Sequence, residues 1–147
     1  MLVQLFNTEY LGQVTSKKNS RVISLNRRTG RFFSRANDRA KSQEIDMVTQ
    51  FRSDFCKQGF AKEDFDNLII EIRVKVWNQD RRRHDLDNQV STILDALVKA
   101  EIFPDDKQEI VSRIDAEYMG VDKEKPRVEI FVYGYDELES KIDYIET

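Results

Sequence analysis

The chain has 147 residues, a formal net charge of −3, 39% apolar and 35% charged residues. That length suits one domain with its own core. The longest aliphatic run, Leu68-Ile69-Ile70, falls far short of the ~20 apolar residues of a membrane span. Cys56 is the sole cysteine, which excludes an internal disulfide and fits a reducing cytoplasm. No basic stretch leads into an apolar one after Met1-Leu2-Val3, so no signal peptide is expected. The average charge hides a gradient. Residues 1–42 carry nine Lys/Arg against two Asp/Glu, and residues 101–147 carry six against fourteen. A basic first third can face phosphates while an acidic end faces away, because steering depends on local potential. Ordinary solvated charge is the plainer reading.

In chain order, Leu2 to Phe6 and Glu9 to Val14 read as short strands. Thr15 to Arg21 is a polar, basic loop. Val22 to Leu25 reads as a strand, Asn26 to Gly30 as a basic turn, and Arg31-Phe32-Phe33 as the return strand, giving a hairpin with cations at its tip. It could lie along a phosphodiester backbone, or its charges could simply guard an edge. Ser34 is placed to cap a helix from about Ala36 to Lys57, stopped by Gly59. Ala40, Glu44, Met47, Val48, Phe51 and Phe55 share one face of it, apolar apart from Glu44, which implies core packing. Cys56 is expected to be buried or partly buried; a Cys/His hydrolase would need it beside His84, the single histidine.

Phe65 to Trp77 alternates, with Leu68, Ile70, Ile72, Val74 and Val76 on one face and Glu71, Arg73 and Lys75 on the other, so it predicts a strand. An arginine-rich loop, Asn78 to His84, follows. Leu86, Val90, Ile93, Leu94, Leu97 and Val98 form the stripe of a second helix ending near Ala100. Ile102-Phe103-Pro104 breaks it, and Asp105-Asp106 lies in the next turn. Ile110 to Tyr118 and Arg127 to Tyr133 predict two more strands. The pattern predicts a single α+β domain over residues 1–134, a small mixed sheet with two main helices, and an acidic tail over 135–147.

The chemistry concentrates in Arg81-Arg82-Arg83-His84-Asp85-Leu86-Asp87-Asn88. Carboxylates beside guanidinium groups suit a hard cation meeting a phosphate. Asp85 or Asp87 could instead cap the helix. One carboxylate suffices to cap, which leaves the second unexplained. The helix of about fifteen residues spans only ~22 Å, so a loop doubling back could bring Asp106 beside the pair. An EF-hand is excluded, since its glycine and glutamate positions, counted from Asp85, hold Val90 and Ala96. Zinc lacks soft ligands here. Aspartates alone favour Mg²⁺ or Mn²⁺.

Asp85-Leu86-Asp87-Asn88, then Asp95-Ala96-Leu97, then Asp105-Asp106 resemble the RusA family of Holliday junction resolvases. Ser16-Lys17-Lys18-Asn19-Ser20-Arg21 and Thr29-Gly30-Arg31 are similar to the opening of that family, and the likeness runs from about residue 15 to 134. It implies that Asp85, Asp87 and Asp106 are metal-binding catalytic carboxylates, supported by Asn88 and assisted by Asp105. It also implies a small α+β homodimer, often encoded by phage or prophage and acting in a bacterial cytoplasm. Such a protein makes paired Mg²⁺-dependent nicks across branched DNA and leaves ligatable ends. Lys17, Lys18, Arg21, Arg27, Arg28, Arg81, Arg82 and Arg83 are the expected DNA contacts. Two positions depart from the family pattern. Ser91 replaces a lysine that usually follows the second motif aspartate by four residues, and His84 replaces a frequent arginine. Serine cannot neutralise charge developing on phosphorus. Lys107, or one of Arg81 to Arg83, could stand in; Lys99 is ~12 Å further along the helix by rise. The alternative function is therefore a branched-DNA binding protein with weak or no nuclease activity.

Overall fold

The computed structural model describes residues 3–16, 21–36, 38–104 and 110–136. Strand β1 (Val3–Leu11) is followed by a hairpin of β2 (Arg21–Asn26) and β3 (Arg31–Ala36), helix α1 (Asp38–Lys57) and a 3-10 turn (Lys62–Phe65). Then come β4 (Leu68–Asn78), α2 (Leu86–Lys99), β5 (Val111–Val121) and β6 (Arg127–Asp136). β1, β6, β4 and β5 form one mixed sheet in that order; β2 and β3 form a separate two-stranded sheet. The fold is α+β in a single small domain.

Alternation dictates β4, where Ile70, Ile72, Val74 and Val76 are fully buried. β4 is paired on both sides, antiparallel to β6 and parallel to β5. A parallel neighbour requires a crossover, and α2 supplies it. Ala40, Gln43, Met47, Phe51 and Phe55 line the buried face of α1, and Val90, Ile93, Leu94 and Leu97 that of α2. The two helices share one core with the sheet. The opposite sheet face stays half-exposed, and cations cover its rings: Arg127 lies 3.8 Å from the centroid of Trp77, and Arg73 lies 4.6 Å from that of Tyr133.

Several expectations shift. The two short N-terminal strands are one strand, because β6 pairs along its whole length and a bulge between Gln4 and Phe6 absorbs the break in pattern. Ser34 is no helix cap: it pairs with Ile23 inside β3, and α1 starts at Asp38, where a carboxylate favours the helix dipole. Phe65 lies in the 3-10 turn, its ring buried against Phe55 and Phe60 at 5.5 and 5.6 Å. Asn67, at φ 65°, breaks the chain before β4 begins. Cys56 is exposed, not buried. Glu44, the polar intruder on the face of α1, is paired with Lys99 of α2. β5 runs on to Val121 and β6 to Asp136. Among the described residues, no helix is long and apolar enough to cross a membrane.

Candidate nucleic-acid interface and carboxylate site

β4 ends at Asn78, a buried amide where the strand's alternation stops. Its Oδ1 accepts hydrogen bonds from Gln13 Nε2 (2.9 Å) and Gln89 Nε2 (3.0 Å). Gln89, 2% exposed, also donates to the Val14 carbonyl at 2.9 Å. Gln13 Oε1 accepts from Gln79 N at 2.6 Å. Buried amides are costly to desolvate unless bonded, so this network ties the end of β4, the exit of β1 and the second turn of α2 together. It fixes both ends of the loop that carries Arg81 to His84.

Within that loop, Asp80 accepts from Arg82 N (3.0 Å) and faces His84 Nε2 at 3.3 Å. Partial desolvation would push the Asp80 carboxyl upward, but these hydrogen bonds and the charges of Arg82 and His84 hold it below its ordinary range. His84 is thus turned toward Asp80 and far from the role of a partner to Cys56, which sits near the end of α1.

Asp85 occupies the N-cap position of α2 in an extended conformation, φ −90° and ψ 116°, yet its side chain makes no capping bond. Its oxygens face Arg83 Nε and Asn88 Nδ2, both at the long distance of 3.4 Å. Asp87, in the first turn, is exposed and has no side-chain hydrogen bond or ion pair among the described residues. Neither carboxylate is used up by the fold.

Asn88, one helical turn on, lies beside Asp85. Arg81, Arg82 and Arg83 are all exposed; Arg82 pairs with Asp80 and Arg83 with Asp85, while Arg81 has no ionic partner among the described residues. Ser91 lies one helical turn beyond Asp87. Lys99 is engaged by Glu44 and does not serve the site. Arg27 and Arg28 stand exposed on the hairpin turn, which Asn26 organises by accepting from Arg28 N at 3.0 Å and Thr29 N at 3.4 Å. Asp105, Asp106 and Lys107, with Lys17, Lys18 and the side chain of Arg21, lie outside the described residues. Among the described residues no three His, Cys, Asp or Glu side chains gather closely enough to hold a metal.

A cleft of about 420 Å³ opens beside this loop, lined by Asn78, Arg81 to Arg83, Gln89 and Tyr118, among others. Asn78, Gln89 and Tyr118 are not among the candidate residues that the sequence pointed to. Gln89 did carry a signal: it falls at helical spacing between Leu86 and Ile93, inside an apolar stripe, where an amide must have a partner. Tyr118 carried none, because its place in the cleft depends on the crossover from β4 to β5.

The model of the endodeoxyribonuclease RusA family matches residues 14–133, which takes in the hairpin, both helices and the arginine–carboxylate loop. The chain belongs to the RusA family. RusA proteins are Holliday junction resolvase-type nucleases that act on branched DNA. No curated protein matches the chain.

Proposed function

We propose that this RusA-family chain is a hydrolase that resolves Holliday junctions by paired, symmetric nicks, dependent on Mg²⁺ or Mn²⁺, in recombination or repair. The observation that carries the reading is Asp85: it stands at a helix N-cap, caps nothing, and keeps its oxygens beside Arg83 and Asn88. A carboxylate whose sole task was to start the helix would bond the free N–H groups of the first turn.

The donor set fits a hard cation, being carboxylates with an amide oxygen nearby and no thiolate. Asp85 and Asp87 would hold it, joined through the family resemblance by Asp106, with Asn88 steadying Asp85 and Asp105 assisting. When bound, such an ion supplies a better nucleophile from water at neutral pH and stabilises the departing oxygen. The chain's own residues hold the polyanion. Arg81 to Arg83 flank the scissile phosphate, and Arg27 and Arg28 reach along the backbone from the hairpin, continued by Lys17, Lys18 and Arg21. The reading places the protein in the cytoplasm of a bacterium or phage-infected cell.

Asp87→Asn is expected to abolish cleavage of a labelled four-way junction in Mg²⁺ while band-shift affinity stays equal or tightens, since a charge repelling phosphate is lost. Unchanged cleavage would sink the assignment. Ser91 favours a second reading, a chain that holds branched DNA and cuts it poorly, because the nearest helical lysine, Lys99, is committed to Glu44. A stable band shift without nicks, in either metal, would select that reading.

A further inference from the structure

The cleft beside the arginine loop has a wall and a floor that phosphate binding alone does not use. On the floor, the amide network fixes which atoms are spent. Gln89 gives both of its amide protons, to the Val14 carbonyl and to Asn78 Oδ1, and Asn78 Oδ1 receives a second proton from Gln13. A carbonyl can only accept, so the orientation of Gln89 is set by chemistry, and that of Asn78 follows from it. One acceptor, Gln89 Oε1, and one donor, Asn78 Nδ2, are left without a hydrogen bond among the described residues. Both residues line the cleft and are at least nine-tenths buried, at 2% and 5% exposed. Neither atom is among the described residues' fully buried atoms without a partner, so both meet solvent and are open to a ligand.

Tyr118 supplies the wall. It projects from edge strand β5 into the same cleft and is 51% exposed. Arg81 to Arg83 form the rim. A π-face, a donor–acceptor pair and a cationic rim are the three parts by which proteins grip an unstacked base and its flanking phosphates.

We propose that this cleft is a nucleobase subsite, taking one unstacked base of the DNA strand next to the cut. The ring of Tyr118 stacks on the base, Asn78 and Gln89 read its edge, and Arg81 to Arg83 hold the adjoining phosphates. The subsite deepens the junction-cleaving function proposed above and rests on it. A branch point is where extruding a base costs least, since its stacking is already interrupted. Tyr118 is then a substrate-binding residue that sets which positions are cut.

Tyr118→Ala and Tyr118→Phe separate ring from hydroxyl, and a half-exposed position on an edge strand tolerates both. Junctions with a mobile core present many sequences to the enzyme, and the distribution of nicks is read on a sequencing gel. Tyr118→Ala is expected to lower nicking at the preferred positions and even out the distribution, with Tyr118→Phe resembling the wild type. A merely structural tyrosine would change total rate and leave the distribution alone. In parallel, a fluorescein-labelled single-stranded hexanucleotide is titrated in EDTA by anisotropy, with neither junction nor metal. Its affinity should fall roughly tenfold in Tyr118→Ala and hold in Tyr118→Phe. Equal affinity of wild type and Tyr118→Ala for the hexanucleotide, or an unaltered nick distribution, overturns the subsite. Wild type that binds the hexanucleotide through Tyr118 but neither binds nor nicks junctions overturns the junction reading and not the base pocket.

Discussion

Ser91 is the residue at which the proposed turnover is put to the test. It follows Asp87 by one helical turn, and side chains four apart on a helix are neighbours. A lysine there would set an ammonium beside the reacting phosphate, where a preorganised charge is worth far more than in water. Ser91→Lys is expected to raise the single-turnover nicking rate of a four-way junction by about tenfold or more. An unchanged rate would mean that the arginine loop already supplies the charge, and Arg81, which has no ionic partner among the described residues, is then the residue to remove next. The same scale explains why Lys99 is no substitute. Its head is held by Glu44 across the α1–α2 contact, so moving it to the site would strand a partly buried carboxylate.

The hairpin is the element with the most to explain. β2 and β3 pair only with each other, and an isolated two-stranded hairpin is marginal in water. In their register Ile23 and Leu25 stand across from Ser34 and Phe32, so one face presents Ile23, Leu25 and Phe32 together. Ile23 and Phe32 are 78% and 74% exposed. The turn at its end carries Arg27 and Arg28, and β3 opens with Arg31, all exposed. Cations at the tip of an arm suit a phosphate backbone, and each phosphate contact releases condensed counterions. Changing Arg27, Arg28 and Arg31 together to alanine should flatten the slope of log affinity against log salt by roughly three, as measured by junction band shifts from low to physiological salt. A slope that does not move would place the tip off the DNA.

For the whole molecule, the homodimer that the family resemblance implies would form on the apolar face of that hairpin, since a second copy would cover apolar side chains that water now meets. Light scattering is expected to give twice the chain mass for the wild type and a lower mass for Phe32→Asp, which buries a charge in such a contact. A wild-type chain that stays monomeric at micromolar concentration would remove the dimer from the reading. The sheet and helices should be indifferent to this change, because the hairpin shares no strand with the main sheet and no described residue of β2 or β3 belongs to the core.

Local periodicity was enough for much of this protein. The alternation of β4, the stripe of α2, the apolar face of α1 and the basic hairpin are each set by neighbours a few residues apart, so they can be read along the chain. Asp85, Asp87 and Asn88 were legible for the same reason, as a dense motif at a helix start. The ends of elements were not: Ser34 and Phe65 took their states from a cross-strand partner and an aromatic cluster remote in sequence. Tertiary structure alone decided that Asp85 caps nothing, that Lys99 belongs to Glu44, and that Asn78, Gln89 and Tyr118 meet at one cleft. Each of these is a choice among partners separated by many residues, and packing makes that choice where spacing cannot.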